Sequence, residues 1–468
     1  MDGSSFPTDE FDDLQKKGAI DSVTTTCPLI EVEIAMFFDG TGNNLANVEE
    51  GDKIRAAGGE VTEASYANDL SNVAKLYRSY SGNVPREERN DDGGIKTLRS
   101  SAIIDGIGTT SGQEDSVLGF AVGWGRTGVD ERVKDGFLEF LRFVNAAKAR
   151  GDIKSIKLDV FGFSRGSAAA RHFVNCVKRG NAGHDYGGPY YELQDEEKAK
   201  LEIRFLGIFD TVVSWGLVAN DSGWGNLMIT LPDDIATKIV HITALDECRE
   251  NFPLTEAPNS AETIRMPGAH SDIGGGYADF FTERVEITRP QSDFDNFKRR
   301  PSETSRVYNF NDFTPDDLAL FNRLVAEGWI NETDHDAVTR EYTPVGSNPY
   351  DPYWNRRFMS RKWLKDPRLA HVALHVMFQK AVDAGVPFTT LIKGANYDLP
   401  EGEEVLKELT EQLIAGRVFT PGESVRYRRN YVHHSSSWAP MGPFYPMQPH
   451  EGAGRRTVYN NDGSTKQD

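Results

Sequence analysis

The chain has 468 residues, with 52 Lys and Arg against 71 Asp and Glu, a formal charge of −19, and 38 % hydrophobic residues. That length holds one large elaborated domain or two to three smaller ones, and the composition excludes a disordered chain. The negative balance argues against a broad surface for nucleic acid or anionic lipid, leaving only a local basic patch for such contacts. Three cysteines, Cys27, Cys176 and Cys248, lack any paired spacing. Neither a disulfide framework nor a zinc site is expected, and a reducing compartment is the default. The start, Met1 to Phe6, lacks the basic and apolar stretches of a signal peptide, and no run is apolar over about 18 residues. Synthesis in the cytoplasm without general secretory export is expected.

Residues 1–30 are polar and acidic and read as a loosely held arm. Ile34-Ala35-Met36-Phe37-Phe38, stopped by Asp39-Gly40-Thr41-Gly42-Asn43-Asn44, predicts a buried strand entering a tight loop, as in a parallel sheet. Leu70, Val73, Ala74 and Tyr77 recur at helical spacing, and so do Val133, Phe137, Phe140, Leu141 and Val144, with Gly-rich sequence over 106–128 between them. Ile156, Leu158 and Val160 alternate into Gly162-Phe163-Ser164-Arg165-Gly166, and a small-residue helix follows through Ala168, Ala169, Ala170 and Phe173. A strand from Ile203 to Phe209 ends at Asp210, and another from Thr263 to Met266 ends near His270. Residues 281–312 and 342–362 are polar and broken by Pro290, Pro301, Pro344, Pro349 and Pro352, so they read as surface insertions that can form a cap. Thr314-Pro315 and Asp366-Pro367 start later helices, the second ended by Gly385, and the sequence from Met441 onward is loop-like.

The strand, sharp turn and helix around Gly162-Phe163-Ser164-Arg165-Gly166 are the context a G-x-S-x-G nucleophile elbow requires. A serine hydroxyl attacks only when held away from its own backbone beside a base, and such an elbow supplies the first condition. On the α/β-hydrolase scaffold the acid and base follow in the order Ser, Asp, His, and Ser164, Asp210 and His270 stand in that order. A carboxylate ending a buried strand needs a partner, although Asp210 could also cap a helix. Four glycines surround His270 and leave its loop free to turn.

Other histidines compete with His270. His371 and His375 have the spacing of a zinc pair, but Val372 stands where the glutamate of H-E-x-x-H belongs, and Leu369, Val372, Ala373 and Val376 make an apolar face. A structural face is favoured there. His433 and His434 offer a late base, and His241 a weaker one. Asp39-Gly40-Thr41-Gly42 superficially matches a D-x-D-G-T phosphatase motif, but the nucleophile would fall on Phe37, which cannot attack phosphorus. The better reading is an oxyanion hole, with an N–H near Gly40 or Thr41 opposite that of Arg165; an ordinary Asp-Gly turn is the alternative.

With these residues, the chain resembles the type VI secretion lipase effectors and the wider bacterial family of α/β hydrolases to which their catalytic domain belongs. The resemblance covers about residues 34–280, with fainter echoes near 369–388 and 426–438. It rests on Phe38-Asp39-Gly40-Thr41-Gly42-Asn43-Asn44, on Gly162 to Gly166, on Phe209-Asp210-Thr211-Val212, and on Gly268-Ala269-His270-Ser271-Asp272-Ile273-Gly274-Gly275-Gly276-Tyr277. It implies an α/β-hydrolase-like, mostly parallel sheet flanked by helices, with Ser164 as nucleophile and Asp210 and His270 completing the triad. It implies cleavage of phospholipid acyl esters, of phospholipase A type, at a membrane surface after delivery into a rival cell. An immunity protein and a type VI spike or adaptor would be partners, and no cofactor, metal or nucleic acid is called for. The expected organisation is an arm (1–30), a catalytic core (31–280), an insertion or cap (281–365), helices and a strand completing the core (366–440) and a tail (441–468). Trp215, Leu217, Val218, Trp224, Leu227, Met228 and Ile229 are either a lipid contact or core. A hydrolase of small soluble esters and a non-catalytic binding or spike-loading module are the rival readings.

Overall fold

The computed structural model describes residues 29–61, 64–81, 86–89, 95–109, 128–182, 191–213, 227–277, 281–289, 291–294, 306–345, 354–438, 447–449 and 456–466. The expected arm therefore lies outside the described residues except for Leu29 and Ile30, and so does the Gly-rich stretch over 110–127.

Seven strands form the central sheet: β1 (Leu29–Phe38), β2 (Arg86–Arg89), β3 (Ile95–Ile104), β4 (Asp152–Phe163), β5 (Leu201–Phe209), β6 (Lys238–Ala244) and β7 (Glu262–Met266). Their order is β7-β6-β5-β4-β1-β3-β2, and six are parallel, while β2 runs antiparallel to β3 at the edge. The helices that accompany this sheet are α1 (Leu45–Ala56), α2 (Asn72–Ser79), α3 (Val129–Lys148), α4 (Arg165–Arg179) and the one-turn α5 (His270–Gly274).

Because side chains alternate across a strand, each buried strand feeds two cores. Ile34, Met36 and Phe38 of β1, with Ile156, Leu158 and Val160 of β4, pack with Phe137 and Phe140 of α3 and Phe173 of α4. Ala35 and Phe37, with Phe161 and Phe163, face the other side and pack with Val73 and Leu76 of α2 and with residues from 369–381. Register then aligns the carboxyl ends of the middle strands: Phe38 lies beside Gly162, and Phe163 beside Phe209. Asp39, Ser164 and Asp210 thus leave three adjacent strands at one edge, where ligands bind in such sheets.

Charges also cross the sheet in strand order. Arg204 of β5 grips Asp159 of β4 with two bonds of 2.6 and 2.9 Å and reaches Glu33 of β1 at 2.9 Å, and Glu33 meets Arg99 of β3 at 2.6 Å. Each buried charge has a partner, without which burial would be costly. Burial nevertheless pushes the Asp159 carboxyl up to about 6.

Residues 281–365 contain a second, antiparallel sheet of β8 (Phe281–Glu286), β9 (Gln291–Phe294), β10 (Arg306–Tyr308), β11 (Val338–Val345) and β12 (Trp354–Lys365), ordered β8-β12-β11-β10 with β9 also on β12. The sequence offered only polar insertions here, because among the described side chains of these strands the buried apolar points are few, Val285, Val338 and Met359, while Glu283, Ser360, Arg361 and Lys365 are buried too and ion pairs such as Arg361–Glu283 cross between strands. Helix α6 (Pro315–Ala326) starts at Thr314, whose hydroxyl accepts from the Asp317 N–H while the Asp317 carboxylate accepts from the Thr314 N–H. Over 366–438 come α7 (Leu369–Asp383), α8 (Glu404–Ile414) and α9 (Pro421–Arg428), and no strand among the described residues. The strand read there fails because the amides of His433, His434 and Ser435 donate to the carboxylates of Asp272 and Glu283 instead of to a ladder. Among the described residues no helix is long and apolar enough to cross a membrane.

Candidate active site

Ser164 occupies the turn between β4 and α4 with φ 59° and ψ −126°, a backbone conformation that a non-glycine residue holds only under constraint. The constraint is visible: its N–H donates to Phe209 O at 3.0 Å, and its carbonyl accepts from Ser167 and Ala168. Gly162 and Gly166 are needed for close approach. A Cβ on Gly162 would lie 2.6 Å from Gly166 O, and one on Gly166 would lie 2.3 Å from Asp39 O. The serine turn and the Asp39 loop are therefore in backbone contact.

Asp210, also left-handed at φ 41°, is fully buried and accepts four hydrogen bonds. Its Oδ1 receives Ala244 N (2.9 Å) and Arg456 Nη2 (2.5 Å), and its Oδ2 receives His270 Nδ1 (2.6 Å) and Arg456 Nη1 (2.6 Å). Burial opposes ionisation, but the Arg456 guanidinium and then His270 outweigh it and hold the carboxyl well below the usual range. No local sequence signal marks Arg456, which lies in the loop-like tail. It reaches the site because Val458–Tyr459 pairs with Leu254–Thr255, and Asn461 binds Arg171 Nη2 and Leu231 N through its Oδ1.

His270 opens α5 with its Nδ1 on Asp210, so Nδ1 carries the proton and Nε2 is left as an acceptor, the nitrogen of a candidate base. Its ring lies between Phe163, at 4.7 Å, and Phe252, at 5.1 Å. Three successive amides of its loop each donate to a carboxylate: Gly268 to Asp246 (2.8 Å), Ala269 to Asp272 (2.8 Å) and His270 to Glu247 (3.1 Å). Glu247 would be raised by burial, but Arg249 grips it with two bonds and holds it at about 2. Burial lowers the His270 pKa despite the opposing pull of Asp210. The acid limb of kcat/KM against pH is therefore expected below the ordinary histidine value of about 6.5, with a plateau through neutrality. A limb centred above 7 would contradict this assignment of the base.

Phe163 couples the two halves of the site, because a Cβ on Gly274 would lie 2.0 Å from its ring. Gly274→Ala should displace Phe163 and with it His270, costing about 1–3 kcal/mol of stability as an overpacked core does, together with activity. Thermal unfolding and ester turnover of this variant check both effects; wild-type values in both would refute the coupling.

In the loop after β1, the Gly40 N–H donates to Asp39 Oδ1 (2.7 Å), which also accepts from Ser71 Oγ (2.5 Å). The Thr41 N–H makes no bond to another described residue. Arg165 Nε donates to Thr41 Oγ1 at 2.8 Å, which ties this loop to the first residue of α4. Burial pushes the Asp39 carboxyl up to about 7.

The competing histidines have partners other than Asp210. His371 Nδ1 and His375 Nε2 are bonded to the carbonyls of Asp398 and Tyr397, at 2.8 and 2.9 Å. His433 Nδ1 pairs with Asp272 at 2.6 Å rather than with Asp210, and His434 packs against Trp329. His241 Nε2 accepts from Thr211 N, and burial lowers its pKa to about 3. No group of three or more His, Cys, Asp or Glu could hold a metal ion among the described residues. Of the suggested lipid contact, 215–224 lies outside the described residues, while Leu227 and Ile229 belong to the core and Met228 packs against it.

Residues 189–289, which contain Asp210 and His270 but not Ser164, match a family model described as the catalytic domain of Tle1-like phospholipase effectors of the type VI secretion system. The fold is similar to that of the Tle1 effector solved bound to the VgrG spike of that system, with a TM-score of 0.58 and 22 % identity, covering 93 % of this chain and 94 % of that one. An uncharacterized protein from Pseudomonas aeruginosa is also similar, with a TM-score of 0.43 and 19 % identity over 86 % of this chain and 53 % of that one. No curated protein matches.

Proposed function

We propose that this protein is a type VI secretion phospholipase effector, a serine esterase that cleaves acyl esters of phospholipids. The observation that carries the reading is the 2.6 Å bond between Asp210 and His270 at the strand ends beside the constrained Ser164 turn. The Tle1-like match over 189–289 supports the lipid substrate. In this mechanism Ser164 Oγ attacks the ester carbonyl carbon while His270 Nε2 takes its proton, and Asp210 stabilises the imidazolium. The N–H groups of Thr41 and Arg165 receive the oxyanion; Gly40 serves by positioning the loop, because its own N–H is held by Asp39. Collapse breaks the acyl C–O bond, His270 protonates the departing glycerol oxygen, and water activated by the same histidine releases the fatty acid.

The likeness to an effector solved on its spike supports a spike protein as carrier of this chain; an adaptor, delivery into target cells and an immunity protein that protects the producer belong to the same proposal. A phospholipid with two distinguishable acyl chains tests the reading. One chain should be released preferentially, leaving a lysophospholipid and showing whether position 1 or 2 is cut. Turnover of short soluble esters with no release from phospholipid would overturn it in favour of a small-ester hydrolase.

A further inference from the structure

Arg456 has no place in a Ser, Asp, His order, yet its side chain, 4 % exposed, is committed to the acid of that order. Its Nη2 donates to Asp210 Oδ1 at 2.5 Å and its Nη1 to Oδ2 at 2.6 Å. Oδ2 is the same oxygen that meets His270 Nδ1 at 2.6 Å, so the guanidinium and the imidazole share one carboxylate atom. A planar fork on both oxygens fixes the plane of the carboxylate as a single donor cannot. The fork also reaches two carbonyls, Ala244 O at 3.3 Å and Phe252 O at 3.4 Å, and the Phe252 ring packs on His270. Arg456 thus contacts the acid and the residue that backs the imidazole.

The charges around His270 come from three elements and are buried. Asp210 ends β5, Glu247 and Arg249 lie in the loop after β6, and Arg456 lies in the tail, two carboxylates against two guanidiniums. Glu247 accepts from the His270 amide and is gripped by Arg249, and Arg456 also acts on it at longer range. Farther out, Asp246 on the Gly268 amide is paired with Arg428, and Asp272, on the helix of His270 itself, is bonded to His433. With a neutral imidazole the four inner charges balance. Without Arg456 they would leave one uncompensated negative charge, which a proton on His270 would neutralise. We propose that Arg456 is a positioning residue for the reaction: by sharing Asp210 with His270 it fixes the carboxylate that orients the imidazole, and it supplies the charge that leaves the imidazole ready to accept the serine proton. Burial disfavours the imidazolium in the same sense, and so does Arg249 to a smaller extent. The inference rests on the reading of Asp210 and His270 as acid and base above.

The test follows turnover of a soluble ester against pH, which keeps the lipid substrate out of the result. In Arg456→Met the acid limb of kcat/KM should move up by about one pH unit or more. On the plateau kcat should fall roughly tenfold with KM little changed, because orientation is lost rather than binding. Arg456→Lys restores the charge without the fork, so it should return the limb close to its wild-type position and keep most of the loss in kcat. An arginine with a structural role alone would lower activity and stability in the methionine variant with the limb in place, and that result, like an unchanged profile, overturns the proposal. Should Arg456→Met fail to fold, Arg456→Lys decides: a kcat lowered roughly tenfold at an unmoved limb supports the role, and a wild-type kcat or a shifted limb contradicts it. Failure of the underlying reading shows separately. A His270→Ala protein as active as wild type would remove the base, and the role of Arg456 with it, whereas an inactive His270→Ala beside an unmoved Arg456→Met limb would remove the role of Arg456 alone.

Discussion

Replacing Ser164 with alanine should lower ester hydrolysis by roughly 10⁴- to 10⁶-fold while leaving the protein folded. In the proposed mechanism no other group forms the acyl intermediate, so what remains is the modest acceleration given by oxyanion donors and binding. Stability should change little, because the Ser164 side chain makes no capping bond and alanine meets the same backbone constraint at φ 59°. Turnover of a soluble chromogenic ester and thermal unfolding measure the two halves. A rate within tenfold of wild type would remove Ser164 as nucleophile.

Asp210→Asn should damage both activity and fold. Loss of the carboxylate removes the group that orients and stabilises protonated His270, a change expected to cost about 10⁴ in kcat. It also leaves the Arg456 guanidinium buried beside a neutral amide, and breaking a buried pair from one side costs about 3–5 kcal/mol. Adding Arg456→Met to the same variant should recover much of the stability and none of the activity. The pH dependence has the matching sign. The Asp210 pKa is depressed in the folded protein, so its stabilisation is fully present above the unfolded value of about 3.9 and is lost only as pH falls toward the folded one. Chemical denaturation of the single and double variants checks the pairing; an Asp210→Asn protein as stable as wild type would show that Arg456 does not depend on this partner.

The difference between Ser164 and Arg456 shows which parts of the site were readable. Ser164, Asp210 and His270 each follow a strand whose apolar run is local, so the positions proposed for a triad are legible in segments of about ten residues. Arg456 lies 246 positions from Asp210, in sequence with loop chemistry, and only the pairing of residues 458–459 with 254–255 brings it into place. Glu247 carried a weak signal, one acid among several after β6, but nothing local tied it to the amide of His270. The second sheet was hidden for a related reason: its strands are joined by ion pairs and long-range ladders, and so lack the apolar alternation by which β4 was found. The loop proposed to receive the oxyanion lies in backbone contact with the serine turn, and only the bond from Gly40 N to Asp39 distinguishes the Gly40 amide from that of Thr41.

The most direct test of the central claim is fatty-acid release from phospholipid vesicles by wild type and by Ser164→Ala protein of equal thermal stability. The account predicts release by wild type and loss of at least roughly 10⁴-fold in the variant. Equal release by both would contradict the serine mechanism, and release by neither, with wild type still cleaving soluble esters, would contradict the phospholipid substrate.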